Sequence, residues 1–238
     1  MIDEHLAAAF GMPEVTVISD YSITPELAER CWHMGETTYY ADAQVDLQAY
    51  RNKFYAIPDF CFIFMHKETK EPVGYFIILP LTDDAIIRYM GNKLSFDKIQ
   101  ASDLQTIKSE SVYNLFFYKN AVYKQYRTPN MAKLVFSLLA NAIIERARKF
   151  SFCNYLLVDV YKDFSKTLAE NLKTNFLTQR KYSNGVEGSL YGGVFNFECF
   201  DGLPNDGILE FAYNNIFADE ILKRGKDLWE VYKKKARK

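Results

Sequence analysis

The stretch from Val122 to Ala132, VYKQYRTPNMA, has the residue types and spacing of an anion-binding helix start. Thr128 can cap a helix, and Pro129 suits the first helical position, where its missing N–H costs nothing. Backbone amides would then stay free at the positive helix end, which favours a phosphate or pyrophosphate. These amides belong to Asn130, Met131 and Ala132. Arg127 would add a charge-assisted contact, although the same residues also fit an ordinary capped helix.

Regular elements precede and follow this stretch. Alternation predicts a strand over Glu14–Tyr21, Thr24-Pro25 opens a helix that extends to about Thr37, and a second helical stretch covers Asp46–Ala56. A polar turn predicts an antiparallel hairpin of two apolar strands, Phe60–His66 and Val73–Leu81. An irregular insert over residues 82–110 contains a short helix at Asp84–Met90.

The second half of the chain predicts a strand–helix alternation. Its elements are a long aromatic strand at Ser111–Tyr123, an amphipathic helix at Asn130–Lys149, a buried strand at Tyr155–Tyr161, a helix at Asp163–Asn175, a strand pair at Phe176–Tyr182 and Ser189–Phe197, and a tail helix at Ala218–Ala236. This order predicts an α/β (α+β) fold in one domain spanning residues 1–238, with a mixed, mostly antiparallel sheet flanked by helices. The core would cover about residues 14–197, the insert about 82–110 and a C-terminal helical extension about 200–238.

Composition narrows the class of protein. The chain has 238 residues with 29 basic and 30 acidic side chains, which argues against a generally basic nucleic-acid binder. Its longest apolar runs, Phe60–Met65 and Tyr75–Leu81, are shorter than the roughly 18–20 residues of a membrane-spanning helix, and the N-terminus does not resemble a signal peptide. We therefore expect a soluble cytoplasmic protein. The scattered cysteines predict buried thiols, and the histidines, which lack metal-ligand spacing, predict no metal site.

A strand, the pattern V-x-x-x-[YW]-R-x-x-G-x-[GA] and a long helix together resemble the acetyl-CoA-binding motif of the GCN5-related N-acetyltransferase (GNAT) superfamily. The matching residues here are Val122, Tyr126, Arg127, Asn130 and Ala132. The surrounding order of elements is similar over about Glu14–Phe197. The resemblance implies acetyl-CoA as co-substrate, without a metal. It also implies cofactor contacts from Ala121, Val122, Arg127, Thr128, Asn130, Met131 and Ala132, with the backbone near Ala121 and Val122 pairing with the pantetheine arm.

The chain departs from the GNAT pattern at several positions. The first glycine of the motif is Asn130, which puts a side chain beside the phosphate. The slot of a frequent carboxylate base is Phe116, and the slot of a frequent tyrosine acid falls near Asn171. Tyr118 and Tyr161 are the candidate replacements in protonation steps, and both residues also suit a pocket wall or core.

These residues give a leading hypothesis and two alternatives. The leading hypothesis is an acyltransferase that moves an acetyl group from acetyl-CoA to the amine of a small molecule or peptide by direct attack. The alternatives are a catalytically inactive GNAT-like binding or regulatory module, and an acyltransferase that uses a longer acyl donor. The apolar residues of the tail helix fit a homodimer as well as docking on the core. Asp83-Asp84 in the insert could attract a cationic amine or simply begin a helix.

Overall fold

The computed structural model describes residues 2–3, 5–19, 22–38, 47–48, 51–52, 60–108, 111–149, 151–161, 163–181 and 187–196. The chain divides into two compact units, each built from two segments. The first unit comprises Met1–Ile78 and Lys119–Leu139, and the second comprises Leu79–Tyr118 and Ala140–Lys238. The prediction of a single domain stays a prediction.

The first unit contains the N-terminal strands and helices. Its elements are β1 (Ile2–Asp3), α1 (Leu6–Ala9), β2 (Val15–Ser19), α2 (Pro25–Thr38), β3 (Cys61–His66) and the start of β4 (Pro72–Leu81). Antiparallel pairing joins β1 to β2, β2 to β3 and β3 to β4. α2 begins where the sequence predicts, because the Thr24 hydroxyl accepts a hydrogen bond from the Leu27 amide at 3.3 Å.

The second unit contains the insert helix and the C-terminal strands. Its elements, together with those that it shares with the first unit, are α3 (Asp83–Met90), β5 (Ser111–Val122), α4 (Pro129–Ala147), β6 (Ser151–Val160), α5 (Asp163–Asn171), β7 (Asn175–Lys181) and β8 (Glu187–Val194). β5 and β6 are parallel, whereas β8 pairs antiparallel with both β6 and β7. Thr82 caps α3 by accepting a hydrogen bond from the Ala85 amide at 3.2 Å.

The described strands form one eight-stranded sheet in the order β1-β2-β3-β4-β5-β6-β8-β7. This confirms the predicted mixed, mostly antiparallel sheet with flanking helices. β4 and β6 are buried along their whole length, which explains the nearly continuous apolar sequence of β4 and the apolar run Tyr155–Val158 of β6. Residues 47–48 and 51–52 are helical, as predicted, while the rest of that helix and the predicted tail helix lie outside the described residues.

Several predicted boundaries differ from the structure, and two of them differ by four residues. α5 ends at Asn171 rather than Asn175, because Lys173 takes a left-handed conformation (φ 55°) and the Thr174 amide bonds back to the Ala169 carbonyl at 3.1 Å. β6 begins at Ser151 rather than Tyr155, since pairing with β5 extends into the polar start of the strand.

Buried thiols are confirmed for the cysteines that the structure describes. Cys31, Cys61 and Cys153 are free and buried, and burial raises the pKa of the Cys31 thiol. Cys199 lies outside the described residues. None of the described helices is long and apolar enough to cross a membrane.

Candidate functional site

The predicted anion site lies at a tight junction between β5 and α4. β5 ends at Val122, a 3₁₀ turn covers Lys124–Tyr126, and α4 begins at Pro129. The Tyr123 amide donates to the Val73 carbonyl at 3.0 Å, which ties the junction to β4. The close approach of β4 requires a glycine there, because a methyl group on Gly74 would lie 3.1 Å from the Ala121 carbonyl oxygen. The Ala121–Val122 strand end is therefore held firmly in place.

The capping residue uses two of the amides that the sequence predicts to be free. The Met131 amide donates to the Thr128 hydroxyl at 3.2 Å, and the Ala132 amide donates to the Thr128 carbonyl at 3.1 Å. The expectation that both amides are free was therefore wrong, since a capping side chain consumes orphan donors at the helix start. Within the described part of the chain, the amide of Asn130 has no hydrogen-bond acceptor. It remains the open donor at the positive helix end.

The side chain of Asn130 packs against the N-terminal segment. A methyl group on Gly11 would lie 3.1 Å from Asn130 Nδ2, so this side chain occupies the space that Gly11 leaves empty. Asn130 also lies within α4 and is not among the described non-glycine residues with positive φ. The junction therefore needs no glycine at position 130, because the backbone there is helical rather than left-handed.

Arg127 is fixed at one end of its guanidinium group. Its Nε donates to the Val122 carbonyl at 2.8 Å, whereas the described residues offer no acceptor to its Nη atoms. Arg127 is exposed, as are Lys124 and Lys133 beside it in sequence. The junction thus combines cationic side chains with a positive helix end, which suits an anion.

Phe116, which the sequence resemblance places in the slot of a carboxylate base, lies in the second unit. Phe116 is fully buried on β5, and its ring lies 4.5 Å from that of Tyr89, which belongs to α3. Tyr118 lies on β5 two residues further along, and Tyr161 follows the end of β6 and is half-buried. Asn171 is exposed at the end of α5. The structure does not test the catalytic roles assigned to either tyrosine.

A buried charged cluster, formed by Tyr89, Asp159 and Arg180, lies in the second unit and was missed at the sequence level. The Tyr89 hydroxyl donates to Asp159 Oδ2, and Arg180 Nη1 lies 3.9 Å from the same oxygen. Arg180 Nη2 donates to the Tyr89 carbonyl in the last turn of α3, and its guanidinium carbon lies 4.1 Å from the centre of the Tyr89 ring. The Asp159 and Arg180 side chains are each only 4% exposed.

A sequence signal for this cluster does exist. Asp159 is the one charged residue of a strand that is buried throughout, and a buried carboxylate requires a partner. Nothing in the local sequence indicates that this partner would be Arg180, or that Tyr89 from the insert would bond to it.

A polar chain anchors the other end of α3. Asn114 Nδ2 donates to Asp83 Oδ1 at 2.8 Å and to the Leu81 carbonyl at 3.3 Å. Asn154 Nδ2 donates in turn to Asn114 Oδ1 at 3.3 Å. Asp84 instead pairs with Arg88 at 2.6 Å, which leaves Asp83 as the carboxylate held by β5. Among the described residues, no cluster of His, Cys, Asp and Glu could hold a metal ion.

Comparison with known proteins shows the fold of the chain but not its activity or substrate. No family model matches the chain, and no curated protein matches it. Among solved structures, a GphF GNAT-like decarboxylase in complex with isobutyryl-CoA is similar, with a TM-score of 0.52 and 10% identity over 76% of this chain and 99% of that one. The loading GNATL domain of CurA from Lyngbya majuscula has a TM-score of 0.50 and 14% identity over 75% of this chain and 96% of that one. The chain therefore has a GNAT-like fold, as its sequence resemblance implies.

Proposed function

We propose that this chain is an acyl-CoA-dependent acyltransferase that moves an acetyl group from acetyl-CoA to an amine by direct attack. The observation that supports this proposal is the junction of β5 and α4, where Arg127 and the open amide of Asn130 meet at a positive helix end. The GNAT-like fold supports a CoA thioester as donor, since the similar GphF structure holds isobutyryl-CoA.

In this proposal, the pyrophosphate of acetyl-CoA binds at the helix start. The Arg127 Nη atoms and the Asn130 amide would donate to its oxygens, while Thr128 keeps the first turn in shape through the Met131 and Ala132 amides. The backbone near Ala121 and Val122 would align the pantetheine arm. The Val122 carbonyl already accepts a hydrogen bond from Arg127, so Val122 would link the pantetheine site to the pyrophosphate site.

The reaction requires little beyond geometry and proton transfer. The amine nitrogen attacks the thioester carbonyl carbon, the C–S bond breaks, and the nitrogen loses a proton while the CoA sulfur gains one. Tyr118 and Tyr161 are the proposed residues for these protonation steps. A small-molecule or peptide amine remains the proposed acceptor, and a homodimer stays a prediction.

Calorimetric titration with acetyl-CoA tests the proposal. Arg127→Glu replaces a charge-assisted hydrogen bond of about 1.5–3 kcal/mol with repulsion, so the affinity should fall by at least tenfold. Lys149→Glu makes the same charge change at an exposed position beyond the C-terminal end of α4, and it should leave the affinity within about twofold. Equal affinities for wild type and Arg127→Glu would refute the assigned site.

An acyl-donor and amine panel then separates the alternatives. Turnover only with longer donors such as isobutyryl-CoA would support the longer-donor acyltransferase. Binding of acetyl-CoA without thioester cleavage for any amine would support a non-enzymatic module, which the buried Phe116 at the base position also favours.

A further inference from the structure

Three exposed basic side chains lie at the junction of β5 and α4. They belong to Lys124, Arg127 and Lys133, and we call them the cationic patch. The chain as a whole is almost neutral, with 29 basic and 30 acidic side chains, but it has no acidic residue between Glu110 and Glu145. All three members of the patch belong to the first unit, so the patch is formed within one unit.

The charges of the cationic patch are not balanced by acidic side chains. Among the described residues, none of the three forms an ion pair with a carboxylate. Arginines elsewhere in the described chain do form such pairs, and these are Arg30, Arg51, Arg88, Arg148 and Arg180. Because like charges repel one another, a patch of three without acidic partners favours the binding of an anion.

The local backbone geometry brings the three charges together. The Arg127 amide donates to the Lys124 carbonyl at 3.2 Å, at the end of the 3₁₀ turn. Side chains three residues apart eclipse each other in such a turn, so Lys124 and Arg127 lie on the same side of it. Lys133 comes three residues after Asn130 on the exposed face of α4, and helical side chains lean towards the N-terminus of their helix. Lys133 therefore leans towards the helix start.

The amount of charge at the junction indicates what kind of anion fits it. The pyrophosphate of CoA carries about two negative charges, and a phosphate monoester adds about 1.5–2 more at neutral pH. Arg127 and the positive end of α4 together supply about +1.5, which is less than the pyrophosphate alone requires. Lys124 and Lys133 raise the total to about +3.5, which matches a pyrophosphate and one phosphate monoester together. The patch thus fits a ligand that carries two separate phosphate groups.

We propose that Lys124 and Lys133 bind the 3′-phosphate of CoA and so make this chain selective for 3′-phosphorylated adenine nucleotides. The inference rests on the proposed function, in which Arg127 and the Asn130 amide hold the pyrophosphate. The ammonium groups of the two lysines donate charge-assisted hydrogen bonds to the oxygens of the 3′-phosphate. Both lysines act in binding and specificity, and they take no part in the transfer reaction itself.

Calorimetric titration with CoA and with dephospho-CoA is the direct test, because the two ligands differ only in the 3′-phosphate. Wild-type protein should bind CoA at least about tenfold more tightly, since the phosphate adds charge-assisted hydrogen bonds. The preference should shrink as the KCl concentration rises, because salt screens exposed charges. Adenosine 3′,5′-bisphosphate, which has no pantetheine arm, should displace CoA more effectively than adenosine 5′-monophosphate does.

A double variant, Lys124→Gln with Lys133→Gln, removes both ammonium groups at exposed positions where substitutions have little effect on folding. Its affinity for CoA should fall to within about threefold of that for dephospho-CoA, whose own affinity should change by less than about threefold. Arg127→Glu should instead weaken both ligands by similar factors, because both contain the pyrophosphate. Lys149→Gln is the matched control, an exposed lysine beyond the C-terminal end of α4, and it should leave the preference for CoA unchanged.

The outcomes distinguish this inference from the proposed function. Equal affinities of wild-type protein for CoA and dephospho-CoA would overturn the inference and leave the proposed function intact. A preference for CoA that persists undiminished in the double lysine variant would overturn the roles given to Lys124 and Lys133. Wild-type protein that binds neither ligand would overturn the proposed function, and this inference with it.

Discussion

Replacing Arg180 with methionine should destabilise the protein strongly. The variant would leave the Asp159 carboxylate 4% exposed and without its guanidinium partner. Breaking a buried pair from one side costs about 3–5 kcal/mol, because the remaining charge is desolvated and unpaired. The lost hydrogen bond to the Tyr89 carbonyl and the lost contact with the Tyr89 ring act in the same direction.

Adding Asp159→Asn to Arg180→Met should restore much of the lost stability. The asparagine removes the charge that Arg180 no longer balances and still accepts a hydrogen bond from the Tyr89 hydroxyl, but it buries a new amide donor, and an unsatisfied buried donor costs about 1–3 kcal/mol. We therefore expect the double variant to be more stable than Arg180→Met alone by about 2 kcal/mol. Such recovery would show that Arg180→Met destabilises the protein mainly by leaving the buried Asp159 charge without its guanidinium partner, rather than by altering packing.

Urea denaturation at neutral pH measures these free energies of unfolding. Arg148→Met is the control, because Arg148 forms an exposed pair with Glu145 with side chains 45% and 59% exposed. Such pairs contribute about 0–1 kcal/mol. If Arg180→Met costs no more than Arg148→Met, or if Asp159→Asn destabilises the protein further in the Arg180→Met background, the cluster does not depend on its buried charge.

Two further predictions concern groups outside this cluster. Burial, with a smaller contribution from Cys153, raises the pKa of the Tyr113 phenol well above its ordinary value. The unfolded chain therefore releases this proton near pH 10 while the folded chain keeps it, so the free energy of unfolding should fall above about pH 10. Tyr113→Phe removes the phenol, so its free energy of unfolding should fall less steeply over this alkaline range. Gly11→Ala should lower the free energy of unfolding by about 1–2 kcal/mol, because the φ of Gly11 is 73°. The added methyl group should also push on the Asn130 side chain and so weaken acetyl-CoA binding. Calorimetry on the double variant with Asn130→Gly should show that this loss of affinity is reversed, and an unreversed loss would contradict the contact between Gly11 and Asn130.

The sequence by itself determined the elements and their order. Alternation, capping residues and apolar runs are local properties, and they placed α2 at Pro25, the β3–β4 hairpin and the start of α4 at Pro129 correctly. The same local signals identified the junction from Val122 to Ala132, and the resemblance of this junction and of the surrounding order of elements to the GNAT pattern implied the GNAT-like fold. They also indicated that Thr128 is a cap.

Only the tertiary structure decided which groups at this junction remain available to bind a ligand. Thr128 consumes the Met131 and Ala132 amides, and Gly11 accommodates the Asn130 side chain, although Gly11 is distant in sequence. The buried cluster depends on contacts over 70 and 91 residues, from Tyr89 to Asp159 and to Arg180. Such contacts leave no period or motif in the sequence, because a buried charge needs a partner in space and any strand of the sheet can supply it.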